Sequence, residues 1–309
     1  MNGHNDVNAT VVHILNRRCV LKSAACLSSS LPLTHSSGAD ANEQSRILRG
    51  AVFEIVDPET YSAVVYVPPA KNSDILSWPI ESYPLLVVLS GAGNNQHSAL
   101  YEFTNVRGDH SNLPPYLLST HRAPPSLSDN FIVVAPFSGK GTRSLYSEPR
   151  RKILSFIEWF NTWLGTQTFD DGTSVVVDRQ RVSLFGFSEG STLAVELATT
   201  RKFRGIVIAS YGFTGVLPPM AKERLRDIPI WVFHSEGDDV YDICFSNQLV
   251  DGLLTNGRGN DVFDVRSTVK FTKLIPAQNT RNDRGKEHIQ TALVASASSE
   301  VYAWLLSLL

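Results

Sequence analysis

The sequence predicts an α/β protein with a mostly parallel sheet, an antiparallel N-terminal edge and helices on both faces. Three observations predict it. Short β-branched runs alternate with segments of helical periodicity from residue 52 onward, several of those runs are apolar throughout, and a glycine-flanked serine sits where one run gives way to a helix. An unbroken apolar run is what a strand needs when helices cover both of its faces.

In chain order, residues 52–56 and 63–67 read as a strand pair joined by the turn Asp57-Pro58-Glu59-Thr60. Further strands are expected at 85–89, 131–135, 182–185, 205–209, 230–233 and 269–275. After Pro149, the apolar residues Ile153, Ile157, Phe160 and Leu164 recur at helical spacing, which predicts an amphipathic helix over 150–164. Helices are also expected at 191–200, 243–254 and 299–308. The connection 93–130 is long and carries Pro114, Pro115, Pro124 and Pro125, which argue against a continuous helix. It follows a strand at the place where α/β sheets bind ligands, so a functional loop is expected there. The gap 210–228 is short and leaves little room for a separate lid domain.

Composition limits the function classes. Of 309 residues, 42% are hydrophobic and 19% charged, enough apolar material for a large core. With 28 basic and 30 acidic residues the net charge is −2, which gives no positive field to gather nucleic acid. No apolar run approaches the roughly 18 residues that cross a bilayer. Residues 1–41 read as a leader that takes no part in the fold: Arg17 and Arg18 precede a Ser-rich apolar stretch, and Ala39-Asp40-Ala41 forms an A-x-A site. This resembles a twin-arginine export signal, with an organellar transit peptide or a cytoplasmic N-terminus as alternatives. Residues 42–309 are then one domain. Removing the leader takes Cys19 and Cys26 with it and leaves Cys244, read as a small core hydrophobe, so that no intrachain disulfide is expected.

Gly186-Phe187-Ser188-Glu189-Gly190 carries the chemistry. A serine on a sharp strand-to-helix turn has its hydroxyl presented above the sheet, and glycines two positions either side let neighbouring backbone pack closely. The following helix aims free N–H groups at developing negative charge. A serine hydroxyl needs a base, and the base needs an acid to fix its tautomer. In this architecture acid and base follow the serine on loops after successive strands. The exit of strand 230–233 reads His234-Ser-Glu-Gly-Asp-Asp-Val240, so Asp238 or Asp239 is the acid; beyond the last strand His288 is the only histidine and is the base by elimination.

These features resemble the α/β-hydrolase fold, and more closely the esterases and predicted peptidases related to polyhydroxybutyrate depolymerases and dienelactone hydrolases, over 52–309. Tyr83-Pro-Leu-Leu-Val-Val-Leu-Ser-Gly-Ala-Gly93 is similar to that family's strand and oxyanion loop, Phe131-Ile-Val-Val-Ala-Pro136 to its next strand, and Trp231-Val-Phe-His-Ser-Glu-Gly-Asp238 to its acid-bearing strand. His288 and Glu300-Val-Tyr-Ala-Trp-Leu-Leu306 resemble its catalytic histidine and closing helix. The family's acid stands four residues after the histidine, so the resemblance implies Asp238 rather than Asp239. It also implies oxyanion donation by the backbone N–H groups of Glu189 and Ala92, with Gly93 as the substitute for Ala92. Two residues depart from the pattern: Ser90 stands where histidine is usual, and Glu189 follows the nucleophile where a neutral residue is common.

Other readings are weaker. Gly91-Ala-Gly93-Asn-Asn-Gln96 begins like a dinucleotide fingerprint but has Gln96 in place of the third glycine. His234, Asp238, Asp239 and Asp242 lack the second histidine cluster a metal site wants, and His234 reads as a structural strand-end residue. His97, His110 and His121 fall in the Pro-rich connection. Tyr101, Phe103, Tyr146, Tyr211 and Phe213 are as consistent with core packing as with a substrate pocket; Gly93, Tyr101, Tyr146 and Tyr211 are the substrate-contact candidates. The expected activity is hydrolysis of small carboxylic esters, with Ser188, Asp238 and His288 as the triad and no cofactor or metal needed. A serine peptidase and a binding protein without turnover are the alternatives.

Overall fold

The structure is a computed structural model that describes residues 47–57, 59–70, 81–93, 98–107, 110–139, 144–213, 218–254, 269–276 and 285–308, and the backbone of residues 12 and 13. Among the described residues nine strands form one sheet in the order β1-β2-β3-β5-β4-β6-β7-β8-β9. The strands β2 (Val52–Val56) and β3 (Ser62–Tyr66) form the expected antiparallel hairpin. The Asp57 carboxylate accepts from the Glu59 N–H at 3.1 Å and from the Thr60 hydroxyl, which closes the turn. Strand β3 also runs antiparallel to β5 (Ile132–Phe137). From β5 the sheet continues parallel through β4 (Glu81–Leu89), β6 (Val175–Phe187), β7 (Ile206–Ala209), β8 (Ile230–Ser235) and β9 (Val269–Leu274). The expected leader lies outside the described residues except for β1 (Val12–His13), which pairs parallel with β2.

Alternation along the strands divides the core in two. Leu85, Val87 and Leu89 of β4, Leu184 of β6 and Val232 of β8 face one side. There they meet α4 (Arg150–Leu164), α5 (Glu189–Ala198), α6 (Pro219–Leu225) and α7 (Cys244–Leu254). Leu86 and Val88, Phe185 and Phe187, and Trp231 and Phe233 face the other. That side is covered by α1 (Ala99–Thr104), α2 (Pro114–Ser119), α3 (Pro125–Ser128), α8 (Lys286–Ala297) and α9 (Ser299–Ser307). Each fully buried Val, Leu, Ile or Phe stabilises the fold by about 1.5–3 kcal/mol, and both faces of the central strands contribute.

The Pro-rich connection is thus three short helices, two of them with a proline in the first turn, where its missing N–H costs nothing. Two strands are longer than their apolar runs. Strand β4 starts at Glu81 and carries Pro84 at a register shift between Tyr83 and Leu85, the place where a missing backbone donor is tolerated. Cys244 is not a core residue. It opens α7 half-buried, with its N–H donating to Asp242 Oδ1 at 2.7 Å. Far from the strand C-termini, the Arg49 guanidinium donates to Glu81 at 2.7 Å, Tyr83 and Thr173 at 3.0 Å each and the Pro68 carbonyl at 2.8 Å, and so clamps the start of β4.

Candidate active site

Register brings the site together. Leu89 pairs with Gly186, Phe187 with Ala209, and Ala209 with Phe233, so the C-terminal ends of β4, β6, β7 and β8 lie side by side. Ser188 follows β6 there. Its backbone is at φ 55°, ψ −123°, a left-handed conformation that a β-carbon disfavours, and its N–H is tied to the Ala209 carbonyl at 3.0 Å. The flanking glycines are steric necessities. A Cβ on Gly190 would lie 2.1 Å from the Leu89 carbonyl oxygen, one on Gly186 would lie 2.5 Å from the Gly190 oxygen, and one on Gly91 would lie 2.8 Å from Ser188 Cβ. The last contact seats the loop of Gly91, Ala92 and Gly93 against the serine. Gly93 is at φ 125°, and Ala92 is exposed beside it.

Asp238 sits in the turn after β8. Its Oδ1 accepts from the N–H groups of Val240 and Tyr241, both at 2.9 Å, and its Oδ2 lies 2.8 Å from His288 Nδ1 and 3.3 Å from His234 Nε2. Burial raises the carboxyl, but the hydrogen bonds from His234, His288 and the Tyr241 N–H outweigh it and hold the group far below the usual carboxylate range. Asp239 points elsewhere and accepts from the Gly285 N–H at 2.8 Å, immediately before α8. Of the two acids the sequence left open, Asp238 meets the imidazole and Asp239 holds the backbone that carries it.

His288 is the third residue of α8, not a loop residue as expected. The His288 ring packs on Phe187, the residue before the serine, with centroids 4.9 Å apart, and edge-on against Tyr241 at 5.4 Å. No hydrogen bond joins the imidazole to Ser188 Oγ; such contacts commonly tighten only when substrate is bound. Ser210, a residue the sequence reading passed over, directly follows β7 in the left-handed region at φ 54° and donates its hydroxyl to the His288 carbonyl at 3.3 Å. A serine directly after an apolar strand was the available signal.

Glu189 turns its carboxylate onto the Ser144 hydroxyl. Two turns along the same face, Glu196 accepts from the Tyr146 hydroxyl at 3.2 Å and from Arg150 Nε, so α5 holds the segment 144–150 at two points. Tyr146 is committed to that contact, and Tyr211, 2% exposed, packs in the core with Phe213 beside it. Phe103 is buried against His110. Tyr101 is exposed on α1, His121 lies at φ 53° in the turn after α2, and His97 falls outside the described residues. The connection touches the site through Asn112, whose amide donates to the Ile289 carbonyl at 3.3 Å. Among the described residues, no group of three or more His, Cys, Asp or Glu is placed to hold a metal, and no helix is long and apolar enough to cross a membrane.

Residues 152–269, which carry Ser188 and Asp238, match the phospholipase/carboxylesterase family. No curated protein matches the chain at a significant level. Among solved structures, a thermostable esterase aligns with TM-score 0.52 and 22% identity over 82% of this chain, and the present chain spans 62% of that protein. A dienelactone hydrolase candidate from Klebsiella pneumoniae aligns with TM-score 0.46 and 13% identity over 80% of this chain and 93% of its own. The carboxylesterase Cest-2923 from Lactobacillus plantarum aligns with TM-score 0.47 and 15% identity over 79% and 93%. The chain has the α/β-hydrolase fold, and its segment 152–269 is similar to the phospholipases and carboxylesterases.

Proposed function

We propose that the protein is a serine hydrolase that cleaves small carboxylic esters through an acyl-enzyme. The observation that carries this reading is the buried Asp238–His288 pair, 2.8 Å apart, packed against the residue that precedes a strained, glycine-bracketed serine. Ser188 Oγ attacks the ester carbonyl while His288 Nε2 takes its proton, and Asp238 holds the Nδ1–H tautomer and stabilises the imidazolium. The N–H groups of Glu189 and Ala92 receive the oxyanion. His288 then returns the proton to the departing alcohol, and water, deprotonated by the same imidazole, releases the acid and restores Ser188. Residues 1–41 serve in this proposal as a twin-arginine-like export leader, which N-terminal sequencing of the secreted protein tests.

The test of the activity is turnover of aryl esters of increasing acyl length beside peptide anilides, by wild type and Ser188→Ala. Ester hydrolysis that falls at least about a thousandfold in the variant is the expected result. Cleavage of anilides with inert esters replaces the reading with a peptidase, and no turnover of either class by folded protein replaces it with a binding protein.

A further inference from the structure

We propose that His234 is a positioning residue for hydrolysis: its Nε2–H steadies Asp238 Oδ2, so that one carboxylate oxygen is held between two imidazoles. The inference rests on the serine-hydrolase reading. His234 is the penultimate residue of β8, a strand buried along its whole length, and its side chain is completely buried. Its Nδ1 lies 2.7 Å from Ser246 Oγ on α7, and its Nε2 lies 2.9 Å from the Tyr241 carbonyl and 3.3 Å from Asp238 Oδ2. A carbonyl and a carboxylate only accept, so Nε2 carries the proton; Nδ1 is then the acceptor for the Ser246 hydroxyl. One tautomer serves both hydrogen bonds: the Ser246 hydroxyl donates to Nδ1, and the Nε2–H is directed to the Tyr241 carbonyl at 2.9 Å while it faces Asp238 Oδ2 at 3.3 Å as an electrostatic contact. The surrounding charged groups are Asp238 and Asp242 on the same loop, Lys273, paired with His234 across β8 and β9, and, through the Ser235 hydroxyl at 2.9 Å, Glu287 on α8.

The turn has no slack. A Cβ on Gly237 would lie 2.6 Å from Pro276 Cγ, and the Asp238 N–H returns to the Ser235 carbonyl at 3.2 Å. The backbone therefore fixes where Asp238 starts, Val240 and Tyr241 fix Oδ1, and His234 is left to fix the rotation of Oδ2 toward His288. His234 touches no reacting atom; it acts through Asp238.

Two substitutions separate positioning from packing. In His234→Gln the amide nitrogen takes the place of Nε2 and keeps the donor to Asp238. In His234→Asn the shorter side chain meets Ser246 but does not reach Asp238. The readouts are kcat and KM for an aryl ester, and the far-downfield Nδ1–H proton of His288 in histidine-labelled protein, identified by its loss in Asp238→Asn. The expected result is a loss of about tenfold in kcat at unchanged KM for the Asn variant, with that proton shifted or broadened, and near wild-type values for the Gln variant. Equal losses in both variants, or an unmoved resonance in the Asn variant, overturn the proposal. Should the Asn variant fail to fold, Ser246→Ala, which frees the His234 ring to turn, must move the same resonance, and an unchanged signal there overturns it. Absence of ester turnover in wild type would strike the serine-hydrolase reading alone, because the proton signal reports on His234 without any substrate.

Discussion

Replacing Asp238 by Asn keeps the volume and removes the charge. In either amide orientation a donor then faces donors: the NH2 group meets the His288 and His234 N–H groups at 2.8 and 3.3 Å, or the Val240 and Tyr241 N–H groups at 2.9 Å. The relief open to His288 is to move its proton to Nε2, where it blocks attack by Ser188 rather than assisting it. That change of tautomer costs about 10⁴ in kcat in a Ser-His-Asp triad. The lost charge-assisted hydrogen bonds cost about 1.5–3 kcal/mol of stability each at most. Asp239→Asn, by contrast, keeps an oxygen for the Gly285 N–H at 2.8 Å and should change kcat less than about threefold. The assay is kcat on a short aryl ester, with urea unfolding to show that both variants are folded. Asp238→Asn retaining a tenth or more of wild-type kcat, or Asp239→Asn losing the greater share, would refute the reasoning.

Three further outcomes concern the scaffold. Gly190→Ala forces a methyl to 2.1 Å from the Leu89 oxygen and should cost at least about 3 kcal/mol by denaturant midpoint, whereas Gly165→Ala, with its nearest contact at 3.6 Å, should stay within about 1 kcal/mol; comparable losses would contradict the elbow argument. Arg49→Met leaves Glu81 with the Tyr83 hydroxyl but no cation at the start of β4 and should lower stability by about 2–3 kcal/mol while the kcat of the folded fraction holds; a drop in kcat would show that the clamp reaches the site. Burial raises the carboxyls of Glu81, Asp171, Asp178 and Asp238, yet hydrogen bonds and charge hold all four below their usual values, from Arg49 and Tyr83 at Glu81, from Thr173 and then Arg49 at Asp171, from Arg181 at Asp178 and from the two histidines at Asp238. Depressed native values mean that this stabilisation is complete above about pH 4–5 and lost as pH falls through the native titrations, so the urea midpoint should fall steadily between about pH 5 and 3. A midpoint unchanged over that interval would contradict the sign.

The strands were legible where apolar runs pass through the covered middle of the sheet, and α4 was legible to the residue because Pro149 fixes its start and its apolar face repeats. What was hidden lies at exposed or polar ends. Strand β6 begins at Val175, seven residues before the expected 182, because the polar, partly exposed residues Asp178 to Arg181 separate Val175 to Val177 from the apolar run. Helix α8 was missed although Lys286, Glu287, Gln290, Ala292 and Leu293 favour helix, because its apolar stripe is narrow; His288 was therefore placed on a loop. The serine and its glycines were legible because the elbow is a local steric problem. The contact of His234 with Asp238 was not, since it depends on how β8, α7 and the turn between them close on one another.

The place where a covalent probe attaches tests Ser188 as the nucleophile most directly. Wild-type protein treated with a fluorophosphonate and digested should show one added phosphonyl group, on the peptide that contains Ser188, with none in Ser188→Ala and labelling slowed by orders of magnitude in an alanine variant of His288. Stoichiometric adduct on a different residue, or folded protein that takes up no label, would contradict it.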